Sequence, residues 1–109
     1  MNFNDYQTQA KTTAKYPDVE NNLYYPALGL GGEVGEIQNK IKKIMRDNEG
    51  ILKEEVRQDL ISELGDVLWY CAALASELKV DLDEVARRNV DKLASRKERG
   101  TLHGSGDNR

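Results

Sequence analysis

The sequence predicts an all-α protein: one antiparallel, four-helix bundle-like domain over residues 1–100, followed by a flexible tail at 101–109. Three observations carry that prediction. Apolar residues recur at helical spacing through two long stretches. No segment shows the strict alternation or β-branched runs of a strand. The clearest turn signals, Pro17, Asn21-Asn22 and Asp47-Asn48-Glu49-Gly50, fall between the periodic stretches.

Each element has its own signature. A first short helix is expected from Asn4 to about Lys15, with Asn4 and Gln7 spaced as a capping box. Pro17 and Pro26 bracket a polar connection. The second helix runs from about Pro26 to Arg46, its apolar face being Leu30, Val34, Ile37, Ile41 and Ile44. Asp47-Asn48-Glu49-Gly50 stops it. The third, from about Glu54 to Leu78, is the longest and most apolar, carrying Val56, Leu60, Leu64, Val67, Cys71, Leu74 and Leu78 on one row. The fourth spans about Asp81 to Glu98, opened by Asp81 and Glu84 as a capping pair and closed by Gly100. Thr101 to Arg109 has the composition of a frayed tail.

Composition narrows the function. At 109 residues the chain builds one core and is small enough to gain from oligomerisation. A net charge of -3 without a long single-sign block argues against a nucleic-acid binder. The single cysteine, Cys71, lies in an apolar run and reads as inert packing, which fits a reducing compartment. No signal-like or membrane-spanning run is present, so the expectation is a cytoplasmic protein without membrane contact.

Chemistry concentrates in two acidic tetrapeptides, Glu33-Val34-Gly35-Glu36 and Glu63-Leu64-Gly65-Asp66. Positions i and i+3 share a helix face, so each copy aims two carboxylates one way. Like charges there repel, and an internal glycine costs about 1 kcal/mol relative to alanine. Both penalties occur twice. In an antiparallel pair, residues equidistant from the turn become level. Each acidic pair lies about fifteen residues, roughly 22 Å, from the Glu49-Gly50 turn. Four carboxylates then meet at one height, with Gly35 and Gly65 allowing close backbone approach. A divalent cation held between them accounts for the arrangement. All-oxygen ligation selects Mg²⁺ or Mn²⁺, and the absence of helical histidines or a cysteine cluster excludes di-iron and zinc sites.

Folding the fourth helix back along the third makes Asp66 and Trp69 level with Arg96 and Lys92. Asn89, Lys92 and Arg96 form one stripe at i, i+3 and i+7. Carboxylates plus Lys and Arg suggest a metal-bound phosphate substrate, although cations near a helix C-terminus also suit its dipole. Tyr70 follows Asp66 by four residues and could stack on a base, hydrogen-bond a phosphate, or pack in the core. Lys40 is expected to pair with Glu36 at i,i+4.

These residues resemble the MazG-like all-α nucleotide pyrophosphohydrolases, relatives of the dimeric dUTPases. The resemblance runs from about Tyr6 through Gly100. It rests on Leu30-Gly31-Gly32-Glu33-Val34-Gly35-Glu36, on Glu63-Leu64-Gly65-Asp66-Val67-Leu68-Trp69-Tyr70, and on Asn89-x-x-Lys92-Leu93-x-x-Arg96-x-x-Arg99-Gly100. It implies that Glu33, Glu36, Glu63 and Asp66 bind Mg²⁺ and that Lys92, Arg96 and Asn89 contact the triphosphate. It also implies cleavage between the α- and β-phosphates, giving a nucleoside monophosphate and pyrophosphate. Glu33 or Glu36 is the better candidate for the base that activates water. The chain is a single catalytic domain without an obvious aromatic cage for one base. Family members assemble as dimers or tetramers, and the broadly apolar third helix points the same way, so a homodimer or homotetramer is expected. The rival class is a helical regulatory module that binds nucleotide without hydrolysis.

Overall fold

A capping box does open the first helix, but two residues earlier than expected. In the computed structural model, which describes residues 1–109, α1 spans Phe3–Lys11 and its cap is Asn2 paired with Asp5. The Asn2 side chain accepts from the Asp5 N–H at 2.7 Å, and Asp5 accepts from the Asn2 N–H at 3.3 Å. Asn4 and Gln7 are thereby free for tertiary contacts. Gln7 donates to Ser76 Oγ and to the Val80 carbonyl, both at 3.1 Å, and accepts from the Leu82 N–H at 2.8 Å. Asn4 accepts from the Asp83 N–H at 3.2 Å. Helix α1 stops at Lys11 rather than Lys15 because Thr12 and Thr13 turn their hydroxyls back onto the carbonyls of Gln9 and Ala10.

Helix α2 spans Tyr24–Asp47, and Asn22 accepts from the Tyr25 N–H at its start. At its end Glu49 and Gly50 adopt positive φ, and the Gly50 N–H reaches back to the Ile44 carbonyl at 3.1 Å. Helix α3 spans Glu54–Glu77 and packs along α2 as the main antiparallel pair. The register is centred on the Glu49-Gly50 turn, as expected: Asn22 meets Glu77, Gly29 meets Tyr70, and Glu33 meets Asp66.

Helix α4 spans Leu82–Glu98, ended by Gly100 at φ +71°. Asp81 makes no side-chain cap, so the expected Asp81/Glu84 box is not formed. Asn4 and Gln7 of α1 satisfy the first α4 amides instead, while Glu84 pairs with Arg87 and Arg88. Helix α1 runs antiparallel to the C-terminal half of α3, where Ala10, Ala72, Ala75 and Leu82 form the core with Tyr6, Trp69 and Val80 against it. Alanines at that contact let the two helices approach closely. With α1 on this flank, α4 packs only on α1 and α3 and does not touch α2. The expected return of α4 along the length of α3 does not occur within one chain.

The 12–23 connection is tied down by Glu77 at the end of α3. Its carboxylate accepts from the Tyr16 hydroxyl and from the Glu20 and Asn22 N–H groups, while Lys79 donates to the Glu20 carbonyl. Burial works against the Glu77 charge, but these donors and Lys79 outweigh it and hold its pKa below the ordinary value. No helix is long and apolar enough to cross a membrane.

Candidate functional site

The hairpin register brings three of the four motif acids into one cluster. Carboxylate oxygens of Glu33, Glu63 and Asp66 all lie within 4.8 Å of one another. Glu33 and Glu63 are half-buried against the opposing helix and Asp66 is exposed. Glu36 is exposed and stands outside this trio, one turn further along α2. Burial first, then contact with Glu63 and the charges of Asp66, Glu63 and Glu36, push the Glu33 carboxyl above its ordinary pKa. Lys40 does not pair with Glu36 but crosses the hairpin, its Nζ 3.9 Å from Glu63 Oε1. Glu63 is the acid level with Glu36, so it draws the lysine away from the solvent-facing partner on its own helix.

The donor set fits a hard divalent ion. It offers only carboxylate oxygens, the ligands such ions prefer. Oxygens bound to one octahedral ion at 2.0–2.1 Å lie about 2.9 Å apart when cis and about 4.2 Å when trans, so the side-chain tips have to draw together to close the trio on an ion.

The expected close approach at Gly35 and Gly65 is not found: a Cβ at either position meets nothing within 4 Å. The close approach is at Gly29, where a Cβ would lie 2.2 Å from the Tyr70 ring. Sequence reading passed over Gly29 because it lies outside the acidic motif. The Tyr70 ring is seated edge-on to Trp69 at 5.0 Å and tilted against Tyr25 at 6.5 Å, and Tyr25 stacks on Tyr16. Burial, Tyr25, and the charges of Glu33 and Asp66 raise its pKa. Trp69 donates to Thr13 Oγ1 at 2.8 Å. Thr13, Glu33, Asp66, Trp69 and Tyr70 together line an open recess of about 320 Å³. Tyr70 is therefore packed and also faces the acids.

Asn89, Lys92 and Arg96 stand elsewhere in the chain. Asn89 and Lys92 line a groove with Leu78, Lys79, Val80 and Asp107. Leu78 is twelve residues beyond Asp66, about 18 Å along α3. The cations meet the tail rather than the acids: Lys92 Nζ lies 2.8 Å and Arg96 Nη2 3.0 Å from Asp107 Oδ1. Lys92 first, then Arg96, hold the Asp107 carboxyl below its ordinary pKa. No sequence signal marked Asp107 as their partner.

The four-helix chain thus carries a carboxylate trio at the centre of its longest hairpin, a donor set able to hold a divalent ion. The sequence profile of the MazG nucleotide pyrophosphohydrolase domain matches residues 26–101, and the chain belongs to that family. It is 52% identical to the "Gene 37 protein" of Mycobacterium phage L5, with 100% of both chains covered. No solved structure matches it.

Proposed function

We propose that the protein hydrolyses a nucleoside triphosphate to the monophosphate and pyrophosphate, using Mg²⁺ (or Mn²⁺) held by Glu33, Glu63 and Asp66, in nucleotide-pool control. The observation that carries this reading is the convergence of those three carboxylates across the α2–α3 hairpin, within a family of nucleotide pyrophosphohydrolases. A divalent ion supplies neutralisation of phosphate charge and a more acidic attacking water. The chain's own residues do the rest. Glu33 or Glu36 would accept the proton of that water, Glu36 standing outside the trio one turn further along α2. Lys40 balances charge at Glu63. The recess beside Trp69 and Tyr70 offers aromatic surface to the nucleoside.

Asn89, Lys92 and Arg96 are proposed as triphosphate contacts. In one chain they lie far from the acids, so we infer that the working form is a homo-oligomer in which α4 of a second copy approaches the acidic recess. A screen of pyrophosphate release across canonical and modified (d)NTPs, with and without Mg²⁺, tests the reading. Metal-dependent release from at least one nucleotide is expected. Tight nucleotide binding without release from any would favour a non-catalytic module. Within that assay Lys92→Ala and Arg96→Ala should raise KM roughly ten- to a hundredfold, against little change for Lys97→Ala.

A further inference from the structure

The α4 cations are already occupied by an anion from the same chain. Asp107 presents one carboxylate oxygen to both Lys92 and Arg96, and Arg96 Nη2 also donates to the Asp107 carbonyl at 2.6 Å. The delivery is built rather than incidental. Gly106 turns at φ +84°, Arg109 donates to the carbonyls of Thr101, Leu102 and Gly106, and Arg99 donates to the Arg109 carbonyl. These bonds close residues 101–109 into a loop that returns Asp107 to α4.

The fit is incomplete in an informative way. Arg96 is only 5% exposed, yet its Nε finds no acceptor. A single carboxylate oxygen serves two cations and cannot also fill the rest of the guanidinium fork. A phosphate group, with several oxygens and more charge, can take Lys92 and the Arg96 Nη2 that Asp107 now holds. The Asp107 side chain is 77% and that of Lys92 39% exposed, so their ion pair is of the weak, solvent-screened kind that a stronger anion displaces.

We propose that Asp107 is an internal competitor of the substrate: the tail carboxylate holds the Lys92–Arg96 pair until a polyphosphate displaces it, which sets the apparent affinity. The proposal rests on the reading of Lys92 and Arg96 as triphosphate contacts. It differs from a purely structural role, in which Asp107 only fastens the tail.

Calorimetric titration of the full-length protein with sodium tripolyphosphate separates the two. Asp107→Asn should bind about three- to tenfold tighter than wild type, with a matching fall in KM for the nucleotide. Asp107→Glu, which keeps the charge, should return to near the wild-type value. The gain from Asp107→Asn should shrink in a Lys92→Ala background, because half of the contested site is gone. If Lys92→Ala weakens tripolyphosphate binding but Asp107→Asn leaves it unchanged or weaker, the competitor role is overturned and the phosphate contacts stand. Unchanged binding in both Lys92→Ala and Arg96→Ala would instead remove the phosphate contacts, and the competitor role with them.

Discussion

Replacing Glu33 by Gln should make the metal-free protein more stable and deprive it of metal stabilisation. The carboxylates of Glu33, Glu63 and Asp66 have oxygens within 4.8 Å of one another. At an effective dielectric near 20, one such pair repels by about 3 kcal/mol. Asp66 is exposed and Glu33 only half-buried, so screening by water and salt reduces the net gain to about 1 kcal/mol. For a chain of this size that is a rise in Tm of about 4 °C. The pH dependence has a definite sign. Because the folded-state pKa of Glu33 is raised above 4.5, its favourable contribution is complete below that value and is lost as pH rises through the folded pKa. In EDTA, the variant and wild type should therefore melt together near pH 4 and diverge toward neutrality, the variant higher. Mg²⁺ should then raise the wild-type Tm and leave the variant nearly unmoved. Circular-dichroism melts from pH 4 to 8 measure both effects. Parallel curves for the two proteins, in EDTA and in Mg²⁺ alike, would refute the cluster as a metal site.

Two further substitutions test the scaffold around the acids. Gly29→Ala places a Cβ 2.2 Å from the Tyr70 ring, which Tyr25 and Trp69 hold from two sides. Overpacking of about 1–3 kcal/mol should exceed the gain of about 1 kcal/mol in helix propensity, so the Tm should fall; a melt at or above wild type rejects the wedge. Glu77→Gln weakens the acceptor of three donors from the 12–23 connection, and a loss of about 1–2 kcal/mol is expected by chemical denaturation. Because the Glu77 pKa is lowered, the wild-type advantage should be present above pH 4.5 and disappear as pH falls through the depressed value.

The helices and the hairpin register were legible because they depend on local signals. Apolar spacing fixed the long helices α2 and α3 to within a residue or two, and Glu49-Gly50 announced the turn about which Glu33 and Asp66 meet. Caps were less legible, since Asn2, Asn4, Asp5 and Gln7 are all plausible capping residues. The choice among them was made by α4, whose first amides need Asn4 and Gln7. The position of α4 was not legible at all. Folding-back assumes that consecutive helices lie side by side, but α1 shares small residues with α3 and takes that flank. The glycines misled for a related reason. A helical glycine signals absence of a side chain, and only the neighbouring helix decides whether that absence admits a ring, as at Gly29, or faces open space, as at Gly35 and Gly65.

That open space bears on the assembly. The single chain exposes 7954 Å², whereas a folded monomer of 12.3 kDa should expose about 6,100 Å². Its radius of gyration is 16.8 Å, against about 13 Å for a compact domain of this length. Only nine residues are buried, while Leu28, Met45 and Leu64 are 76%, 73% and 60% exposed. The excess of about 1,900 Å² per chain is in the range that obligate dimers bury. A chain with so small a core, carrying a self-repelling acidic trio, is expected to gain stability from a second copy. Light scattering at micromolar concentration should therefore return at least twice the chain mass of 12.3 kDa. Dilution should lower the Tm, because folding and association are then linked. A concentration-independent melt from a species of one chain mass would mean that α2 and α3 stand exposed in solution. The acidic recess and the α4 cations would then have to meet by movement of α4 within one chain.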